Sequence, residues 1–328
     1  MAKLRSEPSD PDPASGLIHA FPSAHVVHRD RPSKTMLLDK SASGQLLVRL
    51  DDSDDMFAFK KHSAWAAFDG SKILHIRADP ILLEHGYALF PVLTICGRAI
   101  SSMHIEQSSM RTPDINMVEL FEALSSMPSL RDLVINVFKL PDLSPVTETP
   151  PISFHLRRLT LNSIFHGWLR LLAQSSDTLH YLSVGCDRLI LDSNGPNADG
   201  SLTTLRSVTS LCLRDEFDPA LVQACPGLHT LALVSYTSAF EYHMMLCLDA
   251  APPTLQHLIF DVIESASGFE VWDIVGLLEA RHPATDRLRR ITILPYFWRP
   301  ELDDEGLRAR VVLQRLCRER RIAVSIFQ

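Results

Sequence analysis

One short pattern, apolar-x-x-apolar-x-apolar, returns eight times and constrains the fold of this chain more than any other feature. It occurs at Ile100-Met103-Ile105, Leu130-Leu133-Ile135, Leu156-Leu159-Leu161 and Leu179-Leu182-Val184. It continues at Val208-Leu211-Leu213, Leu228-Leu231-Leu233, Leu255-Leu258-Phe260 and Leu288-Ile291-Ile293, with a weaker copy near Leu74 and Ile76. Successive starts lie 30, 26, 23, 29, 20, 27 and 33 residues apart. Self-similarity at this period marks stacked units, because one such unit cannot bury its own apolar face. The flanks recur too: Pro128 and Pro226 stand two residues before a first apolar position, and Thr178-Leu179 and Thr254-Leu255 share another version.

Between the triplets the period changes. Phe165, Trp168, Leu169 and Leu172 fall on one face of a helix, as do Met117, Leu120, Phe121 and Leu124 after Asp114 as a cap. Asp218-Pro219 reads as a cap followed by a first-turn proline, with Cys225-Pro226 ending the helix. Val271, Ile274, Val275 and Leu278 form a further stripe, and Ala309, Val312, Leu313 and Leu316 another. Short strands alternating with short helices, at intervals too short for a doubly wound sheet, predict an α/β solenoid with one face buried by helices. Polar residues at the second and third positions of each triplet place the other face outward.

The bulk of the chain narrows its function. Of 328 residues, 46% are hydrophobic and 22% charged, as in a packed protein. A formal net charge of -7 offers no broad footprint for nucleic acid. Cys96, Cys186, Cys212, Cys225, Cys247 and Cys317 are far apart and form no C-x-x-C pair, which predicts buried free thiols. With no apolar leader at the N-terminus and no run of about 18 apolar residues, the sequence predicts a cytoplasmic or nuclear protein without a membrane span. Residues 1–65 read as a polar, proline-rich and partly disordered segment with a hairpin around 36–38 and 45–50, and residues 66–328 as the repeat domain.

Pro-x-Leu-x-x-Leu-x-Leu units of irregular length, joined by short amphipathic helices, resemble the leucine-rich repeats of fungal F-box proteins. The ending from Leu316 to Ile326, a basic helix and a last strand, is similar to the close of that family. The resemblance covers about residues 70–328. It implies an irregular leucine-rich-repeat horseshoe and a protein-interaction role of the substrate-receptor kind. The family's Asn or Cys after each triplet is replaced by Phe138, Ile164, Asp187, Glu216, Tyr236, Ile263 and Tyr296. Residues 1–60 do not read as the helical F-box bundle, so binding to a Skp-type adaptor is not carried over.

No catalytic or cofactor signature in the sequence leads to an enzyme. His28-Arg29-Asp30 matches the start of a kinase catalytic loop, but no asparagine follows and no nucleotide lobe precedes it. His25 and His28 have helical ligand spacing, but Pro22 and Pro32 flank them and no third ligand is near. The cluster Asp51, Asp52, Asp54 and Asp55 lacks the glycine and terminal glutamate of a calcium loop. Arg308, Arg310, Arg315, Arg318, Arg320 and Arg321 alternate with apolar residues as the polar face of a terminal capping helix. The sequence predicts no cofactor and no metal.

In a horseshoe the second, third and fifth positions of each triplet line the concave face. In this chain they hold five arginines and four histidines against the single acid Asp132. The predicted partner-binding residues are Arg131, Arg157, Arg158, His180, Tyr181, His229, His257, Arg289 and Arg290. Guanidinium groups there suit an acidic or phosphorylated protein segment, with Tyr181 as an aromatic anchor. Two other readings stand beside this one: a truncated structural relic without adaptor activity, and an enzyme with an unrecognised site.

Overall fold

A computed structural model describes residues 38–40, 46–50, 74–78, 93–94, 97–106, 115–137, 150–165, 167–186, 204–215, 218–235, 240–262, 271–294 and 304–326. Among these, twelve strands form one mixed α/β sheet in which each lies beside its neighbours in sequence. The strands are β1 (Leu38–Lys40), β2 (Leu46–Leu50), β3 (Leu74–Ala78), β4 (Ile100–Glu106), β5 (Asp132–Asn136), β6 (Arg158–Leu161), β7 (Tyr181–Cys186), β8 (Ser210–Asp215), β9 (Thr230–Ser235), β10 (His257–Val262), β11 (Arg290–Ile293) and β12 (Ala323–Ile326). β1 and β2 pair antiparallel as a hairpin, and every pair from β2 to β12 is parallel.

The chain divides into two units, Met1–Lys34 and Thr35–Gln328, and the described sheet begins at Leu38 in the second, whereas the expected repeat domain begins at residue 66. The alternation of Leu46, Val48 and Leu50 lets β2 join the parallel ladder rather than remain a separate hairpin. The expectations for Pro8 to Pro32, for His25, His28 and Asp30, and for Asp51–Asp55 lie outside the described residues.

The eight triplets are in register. Leu133 pairs with Met103 and Leu159, Leu211 with Leu182 and Leu231, and Leu258 with Leu231 and Ile291. Every triplet position is 5 % exposed or less. Each such side chain contributes roughly 1.5–3 kcal/mol on burial, so the stacked rows are the main source of stability.

Backbone bonds fix the same register just before the strands. The Arg131 carbonyl accepts the N–H groups of Arg157 and Arg158 at 2.7 and 3.1 Å, and the Arg157 carbonyl accepts those of His180 and Tyr181 at 2.9 and 3.1 Å. The scheme repeats through His180, Thr209, His229 and Gln256 to Arg289, whose carbonyl accepts Ala323 N–H at 2.8 Å. The recurrent threonine has a role in this stacking. Thr178 Oγ1 donates to the Leu156 carbonyl and Thr254 Oγ1 to the Leu228 carbonyl, each at 2.8 Å, tying one repeat to the start of the one before.

The described helices are α1 (Met117–Ser125), α2 (Pro219–Gln223), α3 (Phe240–Asp249), α4 (Val271–Glu279) and α5 (Asp304–Arg320). Their apolar faces join the triplets in one core cluster. Phe121 of α1 meets Phe165 edge-on at 6.3 Å, reaching across the repeat that carries β5. The α1 cap is Asn116, whose side chain accepts from Val118 and Glu119 N–H and donates to Glu119 at 2.9 Å. Asp218 caps α2 through a 2.7 Å bond from Ala220 N–H. The Phe165–Leu172 stripe is shorter than a helix of period 3.6: Gly167, at φ 90°, starts a 3-10 turn over Trp168–Leu172. Both α4 and α5 end with arginine in the left-handed region, Arg281 at φ 52° and Arg321 at φ 59°.

Gly185 in β7 shows how closely the strands approach. A Cβ there would stand 1.9 Å from the Asn162 carbonyl oxygen, and the Gly185 carbonyl accepts Ile164 N–H at 3.0 Å. Gly185→Ala must push β6 and β7 apart and is expected to lower stability by about 1–3 kcal/mol in denaturant titration. Thr254→Val leaves the Leu228 carbonyl without its hydroxyl donor and is expected to cost about 1 kcal/mol in the same measurement. An unchanged midpoint for either variant would contradict the packing described.

Candidate binding face

The sheet face opposite the helical core is built from the third, fifth and seventh positions of each repeat, since strand side chains alternate. The third-position row reads Ser102, Asp132, Arg158, Tyr181, Ser210, Thr230, His257, Arg290 and Ala323 across neighbouring strands. The fifth-position row runs beside it, through Thr160, Ser183, Cys212, Ala232, Ile259 and Thr292. Cys212, Ala232 and Ile259 are buried yet lie outside the core cluster shared with the helices.

At the centre of this face, the Arg158 guanidinium lies 4.5 Å from the centroid of the Tyr181 ring. This stacking holds a cation over an aromatic face. The Tyr181 phenol is pushed above its ordinary pKa, first by burial and then by the neighbouring Cys212, while Arg158 and Arg214 oppose the shift. Arg214, at the seventh position of β8, donates to Asn162 Oδ1 at 3.2 Å, over the strand that carries Gly185. Asp261 occupies the equivalent position of β10, its carboxyl raised by burial and lowered again by Arg214. Arg158 Nε and Asp261 Oδ1 are buried without a hydrogen-bond partner among the described residues.

The nine predicted residues separate into two groups. Arg158, Tyr181, His257 and Arg290 are at third positions on the face itself. His257 is only 9 % exposed, and its Nε2 lies 2.8 Å from Thr292 Oγ1, so this histidine is a packing residue. Arg290 Nη2 donates to Ser325 at 3.1 Å. Arg131, Arg157, His180, His229 and Arg289 are second-position residues whose carbonyls form the ladder, along the edge of the sheet where its strands begin. Arg157, His180, His229 and Arg289 are exposed there, while Arg131 Nη1 is held by the His155 carbonyl at 3.0 Å.

The sequence reading missed Arg214 and Asp261. It stopped at the fifth position, whereas extending the two-residue alternation by one step reaches both. Cys212, Cys225, Cys247 and Cys317 are free and buried, with burial pushing the Cys225 and Cys247 thiols up to about 12 and Cys317 to about 11. The thiols of Cys225, Cys247 and Cys317 are therefore poor nucleophiles and poor metal ligands at neutral pH. Among the described residues no group of three or more His, Cys, Asp or Glu side chains could hold a metal ion. No helix among them is long and apolar enough to cross a membrane.

Comparison with protein-family models, with curated proteins and with solved structures returns no match.

Tyr181→Phe provides a test of the phenol's environment. In a spectrophotometric titration of the folded protein, the step absent from the variant should lie above pH 10. A folded pKa above the unfolded one means the native state retains its proton longer, so this group makes stability fall as pH rises beyond 10. A missing step at or below pH 10 would contradict the burial of the ring.

Proposed function

We propose that residues 35–328 form an irregular leucine-rich-repeat solenoid, a horseshoe without catalytic activity, that acts as a protein-interaction module. Its ligand is an acidic or phosphorylated protein segment, received on the face opposite the helices. The observation that carries this reading is the Arg158–Tyr181 stack at the centre of that face, with Arg214 beside it. A guanidinium oriented on a ring loses less freedom when it meets a carboxylate or phosphate than a freely rotating one. Tyrosine and arginine together are typical of the residues that dominate binding energies.

Three further observations support the reading. The triplets recur at repeat-like intervals, and each strand lies beside those of the adjacent repeats, as nearest-neighbour stacking requires. Arg157, His180 and His229 are exposed along the adjoining edge, giving an acidic chain a basic strip that approaches the stack. The Arg158 guanidinium keeps an Nε–H that no described residue accepts, a donor of the kind an anion takes up. We place the interaction in a cytoplasmic or nuclear setting, and the resemblance does not carry a Skp-type adaptor over to it.

The test uses fluorescence anisotropy with peptide pools that are acidic, phosphorylated or neutral. The intact protein should bind the acidic and phosphorylated pools more tightly. Arg157→Glu, a change at an exposed side chain, should weaken that binding about tenfold, equivalent to about 1.4 kcal/mol. The double variant Arg157→Glu with Arg158→Glu should abolish it. No preference among the pools, or equal binding by the native protein and Arg157→Glu, would reject the assignment.

A further inference from the structure

A groove of about 470 Å³ opens at the C-terminal end of the sheet, lined by residues 253, 254, 256, 286–289 and the corner at Arg320 and Arg321 that joins α5 to β12. Arg287, Arg289, Arg320 and Arg321 line it against one carboxylate, Asp286. In a chain with a formal net charge of -7, this is a local reversal of sign.

The four guanidinium groups differ in how the fold holds them. Arg320 Nη1 donates to Thr285 Oγ1 at 3.5 Å and its Nη2 to the Leu278 carbonyl, which fixes one cation at the wall. Arg287 Nη1 donates to the Pro253 carbonyl at 3.2 Å. Arg289 and Arg321 are exposed, and their side chains make no hydrogen bond or ion pair among the described residues. Anchored and uncommitted cations therefore border the same space.

The backbone at Arg321 is a separate observation. Ile322 N–H donates to the Cys317 carbonyl at 2.8 Å and Arg321 N–H to the Arg318 carbonyl at 3.1 Å, closing α5 with a Schellman turn. Arg321 occupies its left-handed position at φ 59°, which glycine adopts without strain. The arginine is thus held in a costly conformation at a corner where its side chain lines the groove. Arg281 closes α4 by the same turn, with His282 N–H on the Leu277 carbonyl at 3.3 Å, but does not line the groove.

We propose that this groove is an anion site for a phosphomonoester group, contacted by Arg287, Arg289 and Arg321 with Arg320 as the fixed wall. A phosphate dianion presents three acceptor oxygens and close to two charges, which suits several guanidinium forks better than a carboxylate does. The site is independent of the Arg158–Tyr181 face and stands whether or not that face binds a peptide.

The test measures binding of inorganic phosphate to the full chain by calorimetry and by thermal shift, with sodium chloride at matched ionic strength as the control for screening. Phosphate should bind and raise Tm where chloride does not. Arg289→Ala and Arg321→Gly should each weaken phosphate binding at least tenfold, and Arg321→Gly should do so without lowering Tm in the absence of phosphate. Arg281→Gly loses the same charge and relieves the same backbone strain outside the groove, so it should bind phosphate as the native chain does. A phosphoserine peptide binding tighter than inorganic phosphate assigns the group to a peptide, and equal binding assigns it to a small anion; both outcomes support the groove. Absence of phosphate binding, an equal shift in chloride, or equal losses in Arg281→Gly and Arg321→Gly would overturn it.

Discussion

From Arg131 to Gln256, the second-position carbonyl of each repeat accepts two N–H groups from the next, and the rest of the structure depends on that shared acceptor. It sets the register before the strand begins, so the leucine of one repeat lies against the leucine of the following one rather than a residue to either side. A slip by one residue would turn every apolar side chain to the opposite face. The hydroxyls of Thr178 and Thr254 reinforce the alignment at two steps, where a small β-branched donor precedes the first leucine. The triplets then supply the energy and the backbone ladder the geometry.

Much of the sheet was legible in the sequence because the triplet is a strict signal: three apolar residues at fixed offsets, repeated eight times. The caps at Asp218 and the stripe from Val271 to Leu278 were legible for the same reason, as local patterns with local causes. What escaped depended on contacts between repeats. His257 stands in the third-position row, where Thr292 of the next repeat pairs with it and buries it, whereas the second-position His180 stays exposed. The α1 cap is Asn116 rather than the expected Asp114, because a capping side chain must reach the N–H groups of the first turn. Trp168 fell on a helical stripe, and Gly167 in the left-handed region confined it to a 3-10 turn. The start of the sheet at β1 was hidden because three and five residues of strand carry too little periodicity to join by inspection to a repeat about thirty residues away.

The candidate face was legible in part. Arg158 and Tyr181 follow from their register positions, but their stacking needs the adjacent strand, and Arg214 and Asp261 need a count carried two residues further along β8 and β10. The positive charge of the edge has a physical consequence beyond any one contact. An acidic chain with a basic border steers anionic partners toward that border, and its effect on association rates diminishes as salt is raised. The arginines at the C-terminal groove extend this border into the turns, where periodicity provides no guide.

The strict order of the strands governs how the protein yields to force. Because each described strand is bonded only to its neighbours in sequence, tension applied at the two ends of the sheet loads the outermost pairings first, and no other described strand clamps them. The sheet should therefore peel from its ends in successive steps, each releasing the twenty to thirty residues of one repeat, instead of rupturing at once.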